Sequence, residues 1–78
     1  MQKLLKPRAK IGDIVIVKKL ILTAQYKISH ARLSGNRWKY DGYHQFQVGM
    51  NELKTFVNTF SNNEICWNLT TNEQYETD

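Results

Sequence analysis

Apolar and polar positions are unevenly distributed along this chain. From Ile11 to Leu22, eight of twelve residues are Ile, Val or Leu, and alternation is lost between Ile14 and Val17. A strand with one wet face alternates apolar and polar side chains, so this segment predicts a strand covered on both faces. Gly12-Asp13 opens it, Lys18-Lys19 interrupts it, Leu20-Ile21-Leu22 resumes it, and Thr23 to Gln25 reads as a bend. Residues 26–33 (YKISHARL) read as a second strand. Tyr26 and Ile28 share a face there, whereas Ala31 and Leu33 have the other parity; a bulge near Ser29-His30 would return them to the core side. Ser34-Gly35-Asn36 is a turn signal. Arg37 to Tyr40 alternates with Trp38 and Tyr40 inward, Asp41-Gly42 reads as a tight hairpin, and residues 43–48 alternate with Phe46 and Val48 inward.

The period then changes. Leu53, Phe56, Val57 and Phe60 fall at helical spacing, Asn51 suits an N-cap and Glu52 suits the positive end of a helix. The spacing predicts a short helix over 51–60. Residues 64–70 (EICWNLT) predict a last strand with Ile65, Trp67 and Leu69 on one face. The order is four strands, a helical segment and a strand, in one domain. A basic arm (1–10) precedes the β-rich body (11–70), and a tail poor in aliphatics (71–78) is expected to fray. Short strands joined by tight turns favour a small barrel, which removes sheet edges.

Charge adds a direction to this picture. The net charge is +4, but residues 1–44 carry +8 and residues 45–78 carry −4. A basic half points to a polyanion or to an acidic protein surface. The single cysteine, Cys66, cannot form an internal disulfide and suits a reducing compartment. The N-terminus is basic without an apolar core segment, and no run is long enough to span a bilayer, so a cytoplasmic location away from membranes is expected. Candidate catalysis is sparse. His30, His44 and Cys66 lack the close pairing of a zinc site, no glycine-rich phosphate loop is present, and Glu52 and Glu64 open different elements. Neither an enzyme nor a cofactor is expected.

Gly12-Asp13, Val15 and Val17, Ile28 and Ala31, Trp38 and Tyr40, and Val48, Glu52 and Leu53 together resemble the SH3-like small barrels of bacteria and their phages, a class that includes KOW- and Tudor-like domains. The resemblance spans residues 11–57. It implies a mainly β fold, a five-stranded SH3-like barrel with one short helix between strands four and five. It also implies that Val15 and Val17 face the interior and that Ile14 and Ile16 face outward. Leu4 and Leu5 of the arm, the Phe56/Phe60 stripe or another molecule would then cover that outer face.

The functional expectation is a non-enzymatic binding module. Lys18, Lys19, Lys27, Arg32, Arg37 and Lys39 are the candidate nucleic-acid contacts, acting on phosphates, with the arm residues Lys3, Lys6, Arg8 and Lys10 in support. Trp38 and Tyr40 are read as packing residues rather than stacking platforms. The alternative is an adaptor or a small phage-type inhibitor that docks on a larger protein machine through Ile14, Ile16 and Tyr43. A homodimer is compatible with either expectation.

Overall fold

The computed structural model describes residues 6–76. Its strands are β1 (Ile14–Lys19), β2 (Leu22–Ser34), β3 (Arg37–Gln47), β4 (Leu53–Ser61), β5 (Ile65–Asn68) and β6 (Glu73–Gln74), with one 3₁₀ turn at Asn62–Glu64 between β4 and β5. They form a single antiparallel sheet in the order β4-β3-β2-β1-β5-β6. The sheet is open, with β4 and β6 as its edges. It nevertheless curls. The Lys19 ammonium at the end of β1 donates to the carbonyl of Thr59 on β4 at 2.7 Å, although two strands separate β1 from β4 in the sheet.

The curl depends on β2, whose 13 residues serve two partners. Leu22 to Lys27 pair with β1, and Lys27 to Ser34 pair with β3. The register slips between Ile28, opposite Gly42, and His30, opposite Asp41. Ser29 is the extra residue of that bulge, and its hydroxyl donates to the Asp41 carbonyl at 3.0 Å. The sequence parity predicts this bulge, and its effect is as expected: Ala31 packs against the core. Leu33, near the end of the strand, stays 45% exposed.

The core is small: Ala9, Val15, Val17, Ile28, Tyr40, Phe60 and Ile65. Val15 and Val17 point inward as predicted, and Tyr26, Trp38 and Tyr75 pack at its rim. Phe60 stacks between Tyr26 and Tyr40, with ring centroids 5.4 and 5.9 Å away. Two buried amides tie the ends of the chain to this core. Asn62 Oδ1 accepts from the Arg8 N–H at 2.8 Å and the Tyr40 hydroxyl at 2.7 Å, and its Nδ2 donates to the Lys6 carbonyl at 3.0 Å. Asn68 Nδ2 donates to the Arg8 carbonyl and to Asp13 Oδ2, both at 2.9 Å. Asn68 Oδ1 accepts from the Thr70 and Thr71 N–H groups. Buried amides so fully paired fix a backbone path that apolar contacts alone leave loose.

Several expectations are corrected. Residues 53–61 are strand β4, so the predicted helix is absent; the described residues contain only the 3₁₀ turn. The apparent helical stripe arises because β4 is apolar on both faces. Phe60 is buried in the core, Phe56 stacks on Phe46 at 5.2 Å, and Val57 lies on the opposite face at 70% exposure. The five-stranded barrel with a helix is therefore replaced by an open sheet of six strands. Thr23 to Gln25 belong to β2, and the chain turns instead at Leu20-Ile21, where Leu20 has φ +46°. Asp41-Gly42 is not a hairpin but the middle of β3. The frayed tail holds β6, which pairs with β5, and the Arg8 guanidinium lies 4.8 Å over the Tyr75 ring.

Gly42 has a packing reason rather than a turn reason. A Cβ there would lie 2.9 Å from both Phe60 Cε1 and Tyr26 Cβ. Gly42→Ala forces apart two groups the core depends on, so it is expected to destabilise the fold by about 1–3 kcal/mol. Chemical denaturation followed by circular dichroism measures this. An unchanged midpoint would show that the aromatic pair shifts freely.

Candidate functional site

Cross-strand register places the predicted cations. On β3, Tyr40 and Gly42 face the core, so Arg37, Lys39, Asp41 and Tyr43 face outward. On β2 beyond the bulge, Arg32 lies opposite Lys39, and His30 opposite Asp41. Lys27, before the bulge, lies opposite Tyr43 on the same outer face. Arg37 reaches the end of this face and lines a surface hollow with Lys18, Lys19, Ser61, Asn63 and Glu64. Five of the six predicted cations, Lys18, Lys19, Arg32, Arg37 and Lys39, thus form one connected tract. Lys27 stands two rows further along.

Within this tract the acids are few. Arg32 pairs with Asp41 at 3.2 Å, and His30 Nδ1 lies 4.0 Å from the same carboxylate. Glu64 lies in the hollow, but its carboxylate accepts from the Ser61 N–H at 2.9 Å and the Ser61 hydroxyl at 3.0 Å. Among the described residues, Lys18, Lys27, Arg37 and Lys39 make no ion pair. Lys39 and Arg32 sit directly opposite one another, an arrangement of like charges that a sheet disfavours and an anion would relieve. The Asp41 carboxyl is held below its usual range, first by the hydrogen bond from the Thr59 hydroxyl at 2.9 Å and then by Arg32.

The predicted protein-docking residues Ile14, Ile16 and Tyr43 share the outer face. Ile14 and Tyr43 line a second hollow with Lys27, Tyr26, Gln25 and His44. Ile16 instead lies between Gln25 on β2 and Trp67 on β5, so Ile14 and Ile16 are both half-buried. The question of what covers the outer face of β1 has a partial answer: β5 supplies Trp67 beside Ile16. The Trp67 indole N–H is buried without a hydrogen-bond partner. Leu4, Leu5 and Lys3 lie outside the described residues. Arg8, read as an arm contact, is docked, donating through Nη1 to the Ile65 carbonyl at 3.0 Å and to the Glu76 carbonyl at 3.1 Å.

Two apolar features were missed in the sequence. β3 and β4 run past β2 as a two-stranded ribbon, where His44, Phe46 and Phe56 stack in series and Val48, Met50, Leu53 and Val57 are exposed. At the β1–β2 turn, Leu20, Ile21 and Leu22 are 96%, 97% and 71% exposed. A run of adjacent exposed aliphatics at a turn was the available signal, but it reads equally as a buried strand. No group of His, Cys, Asp and Glu suited to a metal occurs among the described residues. No helix among them is long and apolar enough to cross a membrane.

The chain matches no protein-family model, no curated protein and no solved structure.

The hydrogen bond from Thr59 is the largest influence on Asp41, so Thr59→Val is expected to raise the Asp41 pKa toward the ordinary carboxylate value. Carboxyl-detected NMR titration reads it directly. A depressed native pKa contributes stability above the unfolded value that is lost as pH falls through the native one, so the variant loses this acid-side contribution. An unmoved titration would assign the shift to Arg32 instead.

Proposed function

We propose that this protein is a binding module that contacts nucleic acid through phosphate neutralisation, largely without reading base sequence. The observation that carries the proposal is the connected tract of Lys18, Lys19, Arg32, Arg37 and Lys39, in which Arg32 alone has an acidic partner at ion-pair distance. Side chains on a curled antiparallel sheet stand roughly perpendicular to it, so they project toward a backbone laid across the strands. Tyr43, half-buried on the same outer face beside Lys27, supplies an aromatic ring for an unstacked base. The strand order also supports the resemblance to SH3-like small barrels. Four strands form a meander, a 3₁₀ turn follows, and the next strand pairs back on β1.

A protein-docking function is the second reading, favoured by the exposed apolar ribbon and the Leu20-Ile21-Leu22 turn. Exposed apolar surface of this kind marks association sites. The two readings use different surfaces, so variants separate them.

Fluorescence anisotropy of labelled single- and double-stranded DNA and RNA, across a salt series, tests the first reading. Binding should weaken steeply with salt. Arg37→Glu with Lys39→Glu should reduce the magnitude of the log–log slope on duplex DNA by about 2, the loss of two phosphate contacts. No binding at low salt, or a slope untouched by these substitutions, would sink the proposal.

A further inference from the structure

β4 is an edge strand, and its outward backbone groups are treated in two different ways along its length. Their direction follows from three hydrogen bonds. The Val48 N–H donates to the Glu52 carbonyl at 2.9 Å, so the even-numbered residues aim their backbone groups at β3. The Thr59 carbonyl instead accepts from Lys19, and the Ser61 N–H donates to Glu64, so the odd-numbered residues aim theirs away. From Thr59 onward this outer edge is closed from within the chain: Asn58 Oδ1 takes the Thr59 N–H at 2.9 Å, Lys19 takes its carbonyl, and Glu64 takes the Ser61 N–H. Among the described residues, none gives Leu53, Thr55 or Val57 such cover. They present an open run of donors and acceptors, and Leu53 and Val57 add side chains that are 65% and 70% exposed. Edge strands in stable proteins are normally short, charged or covered, and this segment holds one charge, Lys54.

We infer that the Leu53–Val57 edge pairs antiparallel with the same edge of a second copy, centred on Thr55. In that register Thr55 faces Thr55 of the second copy, and Leu53 faces Val57. Each of these pairs exchanges two main-chain hydrogen bonds, since all are outward-facing residues. Charge selects the register. One step toward Leu53 would set Lys54 against Lys54 of the second copy. One step toward Val57 would ask Leu53 to pair with Thr59, whose edge is already closed. With Thr55 at the centre, Lys54 lies over Phe56 of the second copy, on the face where Phe56 stacks on Phe46. Glu52 then falls beside Asn58 of the second copy, next to Lys19. The two-fold axis is perpendicular to the sheet, so the outer faces of both copies point the same way and two basic tracts share one surface. The association itself does not depend on the nucleic-acid reading.

The experiment is sedimentation velocity of the full chain without nucleic acid, up to about millimolar concentration because a short edge gives a weak contact. The expected species is a dimer of the 9.2 kDa chain, growing with concentration. Thr55→Pro removes only an outward N–H, spares the ladder to β3, and should weaken association about tenfold or more, as two main-chain bonds at the axis are lost. Thr55→Lys, which sets two ammonium groups face to face, should do the same, with circular dichroism confirming that each variant is folded. Register is read by mild oxidation in a Cys66→Ser background. Thr55→Cys should crosslink two copies, whereas Leu53→Cys should not, because the two residues 53 stand four positions apart along the paired strands. A monomer throughout the range would overturn the inference and leave the edge to an extended peptide. So would a dimer indifferent to both Thr55 substitutions, or one that crosslinks through residue 53.

Discussion

The backbone of Arg8 is gripped on both sides by buried amide side chains. Asn62 takes its N–H and Asn68 takes its carbonyl. One amide lies just past β4 and the other ends β5, so this single residue joins the entry segment, the 3₁₀ turn and the strand that pairs with β1. The Tyr40 hydroxyl completes the Asn62 contact, and burial pushes its pKa above the ordinary tyrosine value. Asp13 extends the same network, accepting from Asn68 and from the Lys10 N–H. With so few buried apolar residues, the sheet needs such directional contacts to hold one curl rather than several. An apolar replacement for Asn68 would take the side-chain donor from the Arg8 carbonyl, and one for Asn62 would take it from the Lys6 carbonyl, at a cost of about 1–3 kcal/mol each.

That curl positions the basic tract. Because β2 bends at Ser29 and serves two partners, β1 is carried round until Lys19 meets β4. The same movement brings Lys18 and Lys19 beside Arg37, which is distant in sequence. The basic tract is therefore a product of the bulge and of Gly42, whose missing side chain lets Phe60 and Tyr26 approach. Charge placement and core packing are coupled through one row of the sheet.

The strands nearest the core were the most legible in the sequence. Val15/Val17 and Trp38/Tyr40 show their inward faces by alternation, and the parity slip after Ile28 gives away the bulge. The Gly35-Asn36 turn is also plain, with Gly35 at φ +63°. The ribbon was not legible. A strand buried on one face has period two, but β4 reaches the core only at Phe60 and carries apolar groups on both faces, so Leu53, Phe56 and Val57 imitate a helix. Asp41-Gly42 misled for a related reason: glycine absorbed a crowded ring, a need that looks identical to a turn in one dimension. Asn62 and Asn68 were invisible as structural residues: Asn62, within Ser61-Asn62-Asn63, reads as a break, and Asn68 reads as the polar face of the last strand. Of the candidate site, the cations are visible in the sequence but their grouping is not, because it depends on the curl.

The described chain measures 55 × 23 × 21 Å, and its buried residues lie at the end away from the ribbon tip. Such a shape divides the molecule into unequal cooperative units. Backbone amides around Tyr40 and Phe60 are expected to exchange with solvent only through opening of the whole domain, and those of residues 44–56 through local opening, since one hairpin ladder and one aromatic stack hold them. The ribbon's sequence is thus free to vary with little effect on folding. The exposed apolar ribbon is mechanically separated from the core in a chain of 78 residues.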